Sequence, residues 1–146
     1  MVAEKKTYTV LNNSTYCEIR HDTELQALVL TYKRSGASEE FRAIHHELLL
    51  LMGKVRVNRL LVNTLKLGAV APEDQRWLGH AMIPSLAKQT PALYLFAAVL
   101  VPENIFTKLA VEQVEGISEA TGTCTNRHFS SYTEAKNWLR KQLPLS

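Results

Sequence analysis

The sequence predicts an α/β protein: a mixed sheet of four to five strands with an N-terminal β-hairpin and four helices packed on it. Three observations lead there. The apolar residues switch repeatedly between a two-residue and a 3.6-residue period along the chain. One run, LYLFAAVLV at residues 93–101, is apolar almost throughout, as a central strand covered on both faces is. Helix-start signals, PEDQ at 72–75, PEN at 102–104 and SSYTE at 130–134, each follow a strand-like run.

Taken in order, residues 8–11 (YTVL) fit a short edge strand, and residues 16–21 (YCEIRH) alternate as a half-buried strand does. The polar turn Asp22-Thr23-Glu24 leads into residues 25–33 (LQALVLTYK), so these two runs form an antiparallel hairpin. Ser38 is placed to cap the first helix, with Glu39 and Glu40 where the helix dipole favours acids. Phe41, Ile44, Leu48, Leu51, Met52 and Val55 recur at helical spacing and give it a buried face, with Gly53 expected to loosen or end its last turn. Residues 59–65 (RLLVNTL) read as a buried strand, and Pro72 opens the second helix where its missing N–H costs nothing.

Pro84 should kink or end that helix near Ile83, because it removes a hydrogen bond and crowds the preceding turn. The third helix begins at Pro102-Glu103-Asn104 and carries Ile105, Phe106, Leu109, Ala110, Gln113 and Val114 toward Gly116 as its stop. Residues 123–129 (TCTNRHF) make the last strand. Ser131 and Glu134 stand at capping-box spacing before a final helix carrying Ala135, Trp138, Leu139 and Gln142. The order β-β-α-β-α-β-α-β-α implies right-handed crossovers in the later units.

At 146 residues the chain reads as one domain over residues 8–146 behind a flexible tail of residues 1–7. A chain of this size buries roughly 68% of its unfolded surface and needs no disulfide or structural metal. Its 46% apolar and 21% charged residues are those of an ordinary globular protein. The longest apolar run, residues 91–102, is too short to span a bilayer, and no apolar stretch follows Lys5 and Lys6 as it would in a signal peptide, so the expected location is the cytoplasm. The net charge of +3 is small. Lys54, Arg56 and Arg59 form the densest basic group, with no aromatic residue among them, so nucleic-acid binding is not expected. Cys17 and Cys124 stand far apart without a CxxC pair and read as free buried thiols.

Catalytic signatures are absent: there is no glycine-rich phosphate loop, no GxSxG elbow and no HExxH. His45 and His46 are not a metal pair, because neighbours on a helix project about 100° apart. His45 lies at the border of the buried face and His46 points to solvent. His80 has no carboxylate at i+3 or i+4 to orient it, and His21 and His128 stand at strand ends. Trp77 shares a stripe with Leu78, Ala81 and Met82 and reads as a core anchor. No enzyme, cofactor or metal site is therefore expected; were there an active site, Asn63, Asp74 and His80 near the carboxyl ends of the strands would be its groups. Leu49 and Leu50 continue an LLLL run off the buried face, giving the first helix more apolar surface than one sheet covers.

Several strings, FRAIHHELLLLM, RLLVNTLKL, PEDQRWL followed by IPSLAKQ, LYLFAAVLVPENIF and FSSYTEAKNWL, together resemble the STAS family, the domain of anti-sigma-factor antagonists and sulfate-transporter tails, and especially its stand-alone bacterial members. The resemblance runs from about Tyr16 to Leu143. It implies a non-enzymatic sheet-and-helix fold that binds a protein partner, switched in the antagonists by phosphorylation of an Asp-Ser-[Ser/Thr]-Gly loop before the second helix. Here Asn63 stands where the acid is expected, and Leu67-Gly68-Ala69-Val70-Ala71-Pro72 contains no hydroxyl, Thr64 being the nearest. The phosphorylation switch is not expected in this chain.

The expectation is thus a binding module that meets another protein, or a second copy of itself as a homodimer, through Leu49, Leu50, Asn63, Leu67, Gly68, Val70 and Asp74. The alternative is a carrier similar to the CRAL-TRIO lipid carriers, with Ile83, Leu86, Leu93, Phe96 and Phe106 lining a pocket for an apolar small molecule.

Overall fold

A computed structural model of the protein describes residues 7–142. Of the expected tail, residues 1–6 lie outside the described residues, while the Thr7 carbonyl already accepts hydrogen bonds from the backbone and hydroxyl of Thr23.

The chain forms strands β1 (Tyr8–Asn13), β2 (Cys17–Asp22) and β3 (Ala27–Tyr32), helix α1 (Ser38–Val55), strand β4 (Arg59–Asn63), then α2 (Pro72–Trp77) running through a π-helical turn (Leu78–Met82) into α3 (Ile83–Lys88). Strand β5 (Leu95–Leu100), helix α4 (Ile105–Glu119), strand β6 (Cys124–Phe129) and helix α5 (Tyr132–Lys141) complete it. The sheet has six strands in the order of the chain, antiparallel from β1 to β3 and parallel from β3 to β6. The expected hairpin is present, with Cys17 opposite Tyr32 and Asp22 opposite Ala27. The expected four to five strands become six because residues 8–13 extend the sheet beyond β2, with a bulge between Val10 and Asn12 that twists this edge.

Successive crossovers of one hand carry α1, the α2–α3 stretch and α4 to the same face. Alternation then splits β3, β4 and β5 between the two faces of the sheet. Leu28, Leu30 and Tyr32 of β3, with Leu60, Leu95 and Ala97, pack under α1, the π turn and α3. Ala27 and Val29, with Leu61 and Ala98, face α5, which covers them with Ala135 and Leu139. Cys17 and Cys124 are buried and unpaired, and burial pushes the Cys17 thiol up to about 12.

Several local expectations are corrected. Ser38 does not cap α1: Ala37 holds that position, the Glu40 carboxylate accepts from the Ala37 N–H, and the Ser38 hydroxyl donates to Asp74 instead. Gly53 does not end the helix, which runs to Val55 and closes on Arg56 in the left-handed region, its N–H donating to the Met52 carbonyl. Val55 is only half buried; His45 takes a fully buried place on that face. Pro84 does not end the second helix. The chain instead widens into the π turn, where the Ile83 N–H reaches back to Leu78, and Pro84 enters α3 in its first turn. Arg59 is not part of a surface basic group but buried, its guanidinium donating to the carbonyls of Leu25, Arg140 and Gln142. Gly116 does not stop α4, which continues to Glu119 before turning at Gly122 with φ 74°.

Candidate functional site

The β4–α2 junction is stitched closed. The Asn63 side chain accepts from the Leu65 N–H at 3.0 Å, a turn that short polar side chains favour. Thr64, buried, donates through both its N–H and its hydroxyl to the Leu100 carbonyl, at 2.9 and 2.7 Å. Leu67 points into the core. Gly68 sits at φ 77°, where a side chain is strained, and its carbonyl accepts from the Thr107 hydroxyl at 3.0 Å. Gln75 donates to the Val70 carbonyl, and Val70 packs half-buried against the core. Asp74 is buried and accepts from the Ser38 hydroxyl and from Arg42 Nε, both at 2.8 Å, while the Arg42 guanidinium lies 4.9 Å from the Trp77 ring centre.

The residues expected to form a contact surface therefore separate. Leu67 and Asp74 are buried, Asn63, Gly68 and Val70 are partly buried and engaged, and Leu49 packs against the core. Leu50 alone of the set is broadly exposed, at 62%. His80, the remaining candidate for an active site, is exposed on the π turn. Among the described residues no group of three His, Cys, Asp or Glu side chains converges as a metal site would, and no helix is long and apolar enough to cross a membrane.

Two other features stand where sequence reading did not place them. The first is the outer face of α4, where Ile105, Phe106 and Leu109 are 63%, 69% and 50% exposed. The helix packs instead through Thr107, Ala110, Val111 and Ser118, with Asn104 capping it by accepting from the N–H groups of Phe106 and Thr107. The signal that finds the packed face is spacing: residues 107, 110, 111, 114 and 118 keep helical spacing to the end of the helix.

The second is an apolar cavity of about 80 Å³ between the sheet and the helices, floored by side chains from β3 to β6 and roofed by α1, the π turn, α3 and α4. Its α4 wall is small-sided, Ala110, Val111 and Val114, as is its β5 floor at Ala97 and Val99. Of the residues expected to line a pocket, Ile83 and Leu86 do. Leu93 is exposed in a left-handed turn, Phe96 faces the α5 side of the sheet and Phe106 faces solvent.

At the inner end of this cavity Tyr32 meets His45. A carbonyl only accepts, so His45 Nδ1 carries the proton it shares with the Phe41 carbonyl at 2.7 Å, and Nε2 accepts from the Tyr32 hydroxyl at 3.1 Å. Burial pushes the His45 pKa down to about 4 and the Tyr32 hydroxyl well above its ordinary range, so the pair is neutral. At the opposite end, Glu115 accepts from His128 Nδ1 at 2.8 Å beside Asn126 of the edge strand, and burial raises the Glu115 carboxyl. No protein family, curated protein or solved structure matches the chain.

Proposed function

We propose that the protein is a STAS-like binding module without catalytic activity, working in the cytoplasm, that meets a protein partner or a second copy of itself through the first turns of α4 and the adjoining Leu65. The observation that carries this reading is the outward apolar cluster of Ile105, Phe106 and Leu109. Contiguous exposed apolar side chains of this size mark interaction surfaces far more often than single ones do. The bond from the Thr107 hydroxyl to the Gly68 carbonyl ties this turn to the loop that Leu65 opens, so the cluster sits on a fixed base. Leu50 is a single leucine and needs no such explanation. The triple change Ile105→Ser, Phe106→Ser, Leu109→Ser should abolish any oligomer seen by light scattering and any partner retained in a pull-down from the source cell, with Leu50→Ser as the unaffected control. Retention of both by the triple variant would remove α4 from the proposal.

A second reading, a carrier of an apolar small molecule, is favoured by the cavity beneath α4. Native mass spectrometry of the protein taken directly from cells tests it: a copurified apolar compound supports the carrier, and a clean protein mass counts against it.

A further inference from the structure

Resting on the reading of α4 as the contact surface, we infer that its partner is a second copy of this chain, docked α4 against α4 in antiparallel about a two-fold axis beside Gln113. The outward stripe of the helix carries the first half of this. At about 100° per residue, Ile105, Leu109, Glu112, Gln113, Gly116 and Ala120 lie away from the packed face, and each is exposed. The apolar bulk stands in the first half of the helix, at Ile105, Phe106 and Leu109, while the second half presents Gly116 and Ala120. A Cβ added at Gly116 would meet nothing within 4 Å, so that half leaves an open notch. Laid antiparallel, each copy supplies what the other lacks: Leu109 comes over Gly116 of the second copy, and Phe106 over its Ala120. Both pairs are centred at or beside Gln113, so one axis satisfies them together. A parallel pairing would set bulk on bulk and leave both notches empty.

Charge carries the second half. A two-fold axis across antiparallel helices brings the same flank of each together, and Lys108 and Glu119 share a flank of the stripe, opposite the one that holds Phe106 and Ala120. Lys108 and Glu119 are also centred beside Gln113, both exposed. Lys108 makes no ion pair among the described residues, and Glu119 uses only Oε1, which accepts from the Asn126 N–H at 2.9 Å. Docking therefore forms two reciprocal Lys108–Glu119 pairs. The same register brings the two Glu112 side chains toward each other at the axis, a like-charge contact that opposes the dimer. One helix pair covers less than a standard interface of about 1,600 Å², so the association is weak and follows concentration.

Sedimentation equilibrium of the full chain over a wide range of concentrations tests this. The wild type should pass reversibly from monomer to dimer with no larger species, because an isologous contact closes on itself. Gly116→Gln fills the notch and should weaken the dimer about tenfold or more, while the monomer melts no lower than the wild type, since the position is open and glycine is a poor helix former. Lys108→Glu and Glu119→Lys should each weaken the dimer about tenfold, two exposed pairs being turned to repulsion. The double variant Lys108→Glu, Glu119→Lys should return to within about threefold of the wild type, and Glu112→Gln should tighten the dimer. A double variant no better than the singles, a Gly116→Gln protein that dimerises as the wild type does, or a Glu112→Gln protein that dimerises no more tightly would each overturn the antiparallel register. A monomer at every concentration overturns the inference outright, and the pull-down with the Ile105→Ser, Phe106→Ser, Leu109→Ser variant then separates two cases. A partner held by the wild type and lost by the variant leaves α4 standing as a surface for another protein; no such loss removes both.

Discussion

At the scale of single residues, the buried His45–Tyr32 pair has the clearest consequence. His45 is fully buried and neutral, with its pKa lowered from 6.5 to about 4 chiefly by desolvation, against the opposing pull of the Phe41 carbonyl. The unfolded chain keeps an ordinary histidine, so between these values it binds the proton that the folded chain refuses. Stability from this residue is complete above about pH 6.5 and is lost as pH falls toward 4, an effect on the order of 3 kcal/mol. Urea melts of the wild type and His45→Gln across this range should show the wild type losing more stability on acidification; parallel curves would mean that His45 is solvated. Tyr32→Phe, which leaves Nε2 buried without its donor, should cost about 1–3 kcal/mol at pH 7. The sequence placed His45 at the border of the buried face, since periodicity fixes an angle on the helix. It does not fix which neighbour closes over that angle, and here Phe41 and Trp77 do, with ring centres 4.5 and 6.0 Å away.

At the scale of elements, the π turn shows how two residues share one geometric problem. Pro84 cannot donate and its ring crowds the turn before it, and the wider turn at Leu78–Met82 accommodates both. Gly79 lies in that turn where α4 crosses: a side chain there would begin 2.5 Å from Ile117 Cγ2 and 2.7 Å from Ile117 Cβ. Gly79→Ala gains up to about 1 kcal/mol of helix propensity, but the contact is with a stiff β-branched residue, and overpacking costs typically about 1–3 kcal/mol. The clash should win. Denaturant melts should show Gly79→Ala destabilised and Ile117→Ala restoring it in the double variant; a Gly79→Ala protein more stable than wild type would mean that α4 yields freely. The start of this helix at Pro72, the Ser131 cap and the hairpin were legible because each rests on local chemistry. The path through Pro84 and the inner face of α4 were not, because both depend on how closely another element approaches.

At the scale of the whole molecule, the run of parallel strands follows from alternating periods and one-handed crossovers, and that much was readable. What local pattern did not give is the unequal cover of the two faces. Three helical stretches share one face, while Ala135 and Leu139 of α5 alone seal Val29, Leu61 and Ala98 on the other. That single helix is held at its C-terminal end by Arg59, which donates to the Arg140 carbonyl at 3.2 Å and to Gln142, and anchors to the hairpin through Leu25 at 2.8 Å. The last carbonyls of a helix lack partners within it and carry its negative dipole end, so a buried guanidinium suits them in both respects. In the sequence Arg59 is one more cation near Lys54 and Arg56, because its acceptors lie more than 80 residues away on α5 and 34 residues away at Leu25. Arg59→Met keeps the apolar stem and removes the tether. Amide exchange in α5 should then quicken about 10- to 100-fold, the equivalent of one or two hydrogen bonds to a charged group, while the central turns of α1 keep their protection under native conditions. Equal acceleration in both helices would mean that α5 opens only with global unfolding, and the tether would then be part of one cooperative unit.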